Sequence, residues 1–170
     1  MYSICPRRGA GRDTLNYREY AKERDLHMVK VIIGQKGSGK TKLLVNLIRE
    51  AAEKSQGNVV CIEKDKNLTF DVPYSVRLIH ASEYNINSNI LLRGFISGLH
   101  AGNYDITHVF IDNFLKMLDD SSVDAVAVFL DWLDRFSTAN QVDFVVAFTA
   151  DPDAPKDPRI ARFVLEDENN

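Results

Sequence analysis

At 170 residues and 19.2 kDa, the chain fits one domain that can bury about 70% of its unfolded surface. Its composition, 45% hydrophobic and 26% charged, is that of a globular protein, and a net charge of −3 gives no bulk attraction to nucleic acid or anionic membranes, without ruling out a local basic patch. No apolar run approaches the roughly 20 residues that span a bilayer, no secretion signal opens the chain, and Cys5 and Cys61 show no metal-ligand spacing, so a reduced, cytoplasmic protein is expected.

Residues 1–27 carry six Lys/Arg against four Asp/Glu, with few aliphatics and no helical or strand period. They read as a flexible extension: either a basic arm that touches a partner or upstream sequence translated ahead of a true start at Met28. From Met28 the pattern changes at once. Val29 to Ile33 is an apolar run, broken only by Lys30 and ending in glycine, as in a strand buried on both faces. Lys40 to Lys54 is a predicted helix with Leu43, Leu44, Leu47, Ile48 and Ala51 on one face. Asn58 to Ile62 and Val76 to His80 read as strands, and Asn89 to His100 as a helix despite Gly94 and Gly98. Thr107 to Ile111 and Phe144 to Phe148 are two further strands, with a helix from Ser122 to Ala139 between them, capped by Ser121 or Ser122. Arg162 to Leu165 reads as a last edge strand before an acidic, disordered tail at 166–170. Alternating strands and helices predict an α/β fold over 28–165, a mainly parallel sheet between helical layers.

The helix from Ser122 to Ala139 places Asp124, Asp131, Asp134 and Arg135 on one narrow side. Phe129 and Trp132 belong to the wide apolar remainder, expected to be core rather than a partner surface.

Gly34-Gln35-Lys36-Gly37-Ser38-Gly39-Lys40-Thr41 matches G-x-x-x-x-G-K-[ST] in full, between an apolar strand and an amphipathic helix. The glycines permit positive φ and close backbone approach, so that successive N–H groups can wrap a phosphate. The helix that follows presents its positive end to the same anion. Lys40 is expected to reach the β- and γ-phosphates, Thr41 to ligate magnesium, and Lys42 to complete the phosphate-binding run. His108-Val109-Phe110-Ile111-Asp112 is an apolar strand ending in a carboxylate, which makes Asp112 the expected second magnesium-side residue.

These two motifs resemble the P-loop NTPase superfamily, and within it the division of RecA-type recombinases and twitching-motility (PilT-type) ATPases. The resemblance covers about Met28 to Asp151. It implies a three-layer nucleotide-binding core with ATP and Mg2+ as ligands. Many members carry a catalytic glutamate directly after the acid of the second motif, and here that position is Asn113, which cannot take a proton from water. In RecA-type enzymes the base stands at the end of the strand after the P-loop helix, which makes Glu63 or Asp65 the substitute, unless these are only a solvated turn. Thr149 falls where the family places a polar sensor of the γ-phosphate, and Arg159 and Arg162 could reach a neighbour's nucleotide or simply be exposed charge.

No guanine-reading Asn/Thr-Lys-x-Asp motif occurs, so ATP is expected over GTP. His27, His80, His100 and His108 lack metal spacing, and His108 is expected to be a packed residue. Three functions fit: a slow magnesium-dependent ATPase or ATP-driven switch working with a protein partner or as a homo-oligomer; a small nucleoside or nucleotide kinase; and a nucleotide-binding module without turnover. The first is preferred, because the kinase reading lacks an Asp-Glu pair, a zinc-binding cysteine set and an arginine-rich lid.

Overall fold

Val29–Gly34 (β1), Asn58–Glu63 (β2), Arg77–His80 (β3), Ile106–Asp112 (β4) and Asp143–Thr149 (β5) form one all-parallel sheet. This computed structural model describes residues 28–150 and 157–165; the expectations for the 1–27 extension and the 166–170 tail fall outside them. The strand order is β1-β5-β4-β2-β3. Val, Ile and Phe fill the inner strands because helices cover both sheet faces, and β-branched and aromatic side chains suit that pleated, doubly buried surface.

The helices are Lys40–Lys54 (α1), Asn89–Gly102 (α2), Val123–Asn140 (α3) and the single turn Pro158–Ala161 (α4), with 3-10 turns at Ala81–Tyr84 and Phe114–Met117. α1 packs Leu44, Val45 and Ile48 on Ile32, Cys61, Phe110 and Val145 of one face. α2 and α3 pack Leu92, Ile96, Phe129, Leu130 and Leu133 on Val60, Val109, Ile111 and Val146 of the other. Burying each large side chain contributes about 1.5–3 kcal/mol before chain entropy is counted. α2 forms across Gly94 and Gly98 because Leu92 and Ile96 anchor it while both glycines face outward. Trp132 and Phe136 pack against the core, as expected of α3.

Connections stepping from β1 to β2 and on to β3 lie on the α1 face, where Leu68 and Val76 of the second connection are buried. Those stepping back, through α2 and α3, lie on the opposite face. A uniform hand of crossover requires this division. Among the described helices none is long and apolar enough to cross a membrane.

The edge strand expected at Arg162 to Leu165 is not formed. Asp157 caps, and Pro158 starts, a helical turn that uses the chain through Ala161. What remains makes one parallel bridge, Val31 with Val164. There Val31 N–H donates to Phe163 O at 2.7 Å and Leu165 N–H to Val31 O at 2.8 Å.

Candidate functional site

In a parallel sheet the carboxyl ends of all strands share one edge, and ligands sit where neighbouring strands send their chains to opposite faces. Two such points occur here, β1 beside β5 and β4 beside β2. Register places Gly34 against Thr149 at the first. At the second it places Glu63 against Asp112, with His80 next to Glu63 on the outer side.

The Gly34–Thr41 loop links β1 to α1 through two left-handed glycines, Gly37 with φ 81° and Gly39 with φ 87°. A side chain at either would be strained, which explains the residue type. Gly39 stands at the N-cap of α1, no side chain caps that helix, and no acidic residue occupies its first turn. By contrast Ser88, Ser122 and Asp157 cap α2, α3 and α4. The backbone N–H groups and positive end of α1 are thus left to whatever else approaches them. Lys40 Nζ folds back over the loop, donating to Gln35 O at 2.5 Å and lying 3.4 Å from Ser38 Oγ. Burial lowers its pKa, opposed by the charge of Asp112, so the two groups share one field. Gln35, Lys36, Ser38, Thr41 and Lys42 are exposed along the same loop and first turn.

Asp112 is 4% exposed. Burial raises its pKa, opposed by the backbone amide of Asn113 and by the charges of Lys40 and Lys116. Asn113 takes a left-handed conformation, φ 53°, and its Nδ2 donates to Asp112 Oδ2 at 3.2 Å. Asparagine tolerates that conformation far better than glutamate would. Holding Asp112 is a role that sequence reasoning missed, because the position drew notice only for the glutamate it lacks.

Glu63 is fully buried. Its carboxylate accepts from Asn67 N–H at 2.9 Å and Leu68 N–H at 3.1 Å. His80 Nδ1 lies 3.1 Å from Oε1, close enough for an ion pair but not aligned as a hydrogen bond. Burial raises the pKa of Glu63, the two loop amides oppose the rise, and the charge of Asp112 adds to it. In this arrangement Glu63 clasps the start of the β2–β3 connection. Asp65 is exposed on that connection, and Thr149 is exposed beside Gly34. Arg159 is bound to Asp157 and Asp124, and Arg162 to Asp131, on the α3 side of the molecule. His108 is part-buried on β4, as expected of a packed residue.

Comparison with known protein families and with curated proteins finds no match.

The donor set is therefore the guide to the chemistry. Among the described residues no group of three or more His, Cys, Asp or Glu could hold a metal alone. Thr41 and Asp112 offer oxygen only, which fits a hard cation that takes its remaining ligands from water and phosphate. The loop offers backbone N–H groups, the Lys40 ammonium folded over it and a helix N-terminus, a set suited to an anion with several oxygens.

Proposed function

We propose that the chain is a P-loop NTPase-type domain that binds ATP, in preference to GTP, with magnesium. Its role is that of a slow ATPase or ATP-driven switch acting with a protein partner or a second copy of the chain. The observation that carries this reading is the uncapped N-terminus of α1, led in by two left-handed glycines and overlain by Lys40, with buried Asp112 in the same field. Anionic oxygens satisfy what this chain leaves unsatisfied there. Lys40 would bind the phosphates, and Thr41 and Asp112 would hold the magnesium, which neutralises phosphate charge when bound. Thr149, beside the loop, is suited to contact the terminal phosphate.

Binding without turnover is the second reading, and it rests on Glu63. A carboxylate already accepting two loop amides is a poor base for water, and Asn113 is none. Asp65 remains the acidic candidate at that strand end. A stimulating partner would supply what the chain lacks, as an arginine finger does in other phosphoryl-transfer sites.

Calorimetric titration of MgATP into wild type and Lys40→Ala tests the proposal. Loss of one charge-assisted contact should weaken affinity by about 10–100-fold with the unfolding midpoint retained. Equal affinities, or no binding of MgATP by wild type, would overturn it.

A further inference from the structure

A cavity of about 490 Å³ lies at the end of the sheet opposite the Gly34–Thr41 loop, between the last turns of α1 and the amino ends of β1, β4 and β5. Leu47, Ala51, Phe110, Val145 and Leu165 give it apolar walls. Lys30, Val145 and Phe110 stand in one row across the strands, by register. Of the charges at its rim, Glu50 is taken by Lys54 at 2.5 Å, and Asp143 lies 3.5 Å from His108 Nε2. Lys30 has no hydrogen bond or ion pair with any described residue. The His108 ring is held in place: Nδ1 is 3.0 Å from Thr107 Oγ1, and the ring lies within 10° of parallel to Phe110, centroids 6.5 Å apart.

We propose that this cavity binds a small, flat aromatic molecule carrying one anionic group, with its ring against His108 and the apolar walls and its anion on Lys30. The volume is that of a small-molecule site, which holds about 300–1,000 Å³. Apolar walls reward a hydrophobic body, and a fixed ring rewards an offset-stacked aromatic over a puckered one. Among the described residues Lys30 is the one lining cation without a partner, which matches one anionic group, while the carboxylates of Glu50 and Asp143 disfavour a polyphosphate. The proposal stands apart from the nucleotide reading, since none of these residues belongs to the loop or to the Asp112 edge. α1 nevertheless joins the two sites, its first turn at one and its last turns at the other.

The test uses the full chain, without nucleotide, and naphthoate as probe, followed by amide chemical shifts and calorimetry. Shifts should gather around Lys30, Ala51, His108 and Val145, and cyclohexanecarboxylate should bind about tenfold more weakly. Lys30→Met should weaken naphthoate about tenfold, Ala51→Leu should fill the cavity and remove binding, and Lys40→Ala should change nothing. The wild-type shift map decides the question even where a variant fails to fold. No binding, shifts gathered at residues 34–41, or equal affinity for both acids would overturn the proposal. A failed Lys40→Ala result in the nucleotide titration would leave it standing.

Discussion

Asp112 and Glu63 face each other across two strands, both buried and both with raised pKa values. Burial is the first cause at each, so folding favours the protonated form. The folded state then binds these protons more tightly than the unfolded chain. The stability this confers is fully present below the ordinary carboxylate pKa and lost as pH rises through the raised value. Without nucleotide, Asp112→Asn should therefore melt above wild type at neutral pH, by about 2–4 °C for each kcal/mol regained. The gap should close as thermal scans move down through and below the ordinary carboxylate range, where the carboxyl is protonated in the folded and the unfolded chain alike. A variant that melts below wild type at neutral pH would show that Lys40 and Lys116 outweigh burial. Asp112 was legible in sequence as a carboxylate closing an apolar strand. The clasp made by Glu63 was not, because Asn67, Leu68 and His80 reach it only through the path of the following loop and the register of β3.

α1 lacks the side-chain cap that α2 and α3 have. Ser88 and Ser122 accept from Leu91 N–H and Ala125 N–H at 3.3 and 3.2 Å, contacts typically worth about 1 kcal/mol. α1 forgoes that, and its hold comes from Leu44, Val45 and Ile48 against the sheet. Gly39→Ala should show both sides of this arrangement. A left-handed alanine costs about 1–2 kcal/mol, read as a lower midpoint in urea unfolding, and the displaced N–H groups should weaken MgATP at least about tenfold. Unaltered affinity would mean that the loop backbone does not hold the phosphates. The helix boundaries were readable because amphipathic period and caps are local: α1 runs from Lys40 to Lys54 as expected, and α3 is capped by Ser122. The expected last strand failed because Asp157-Pro158, a local helix start, outcompeted the apolar run after it.

Across the whole molecule, β5 inserted between β1 and β4 sets Gly34, Thr149, Asp112 and Glu63 along one edge. A ligand bound there bridges strands and the first turn of α1, so it should stabilise the fold as a unit. Magnesium with ATP at a hundred times its dissociation constant should add about 2.7 kcal/mol, hence about 5–10 °C in the unfolding midpoint. Chelating the metal should remove most of that gain, and GTP at the same concentration should give less. Midpoints that ignore ATP would count against the proposed function. Sequence alone determined the α/β class, the glycine-rich turn between β1 and α1 and the strand-end position of Asp112, because period-two and period-3.6 patterns, glycine placement and a strand-end acid are all written in neighbouring residues. Only the tertiary structure decided that β5 separates the loop strand from the Asp112 strand, that Glu63 is spent on its own loop, and that a cavity holds Lys30 without a partner among the described residues. Those depend on crossover direction and strand register, which follow from packing between segments far apart in the chain.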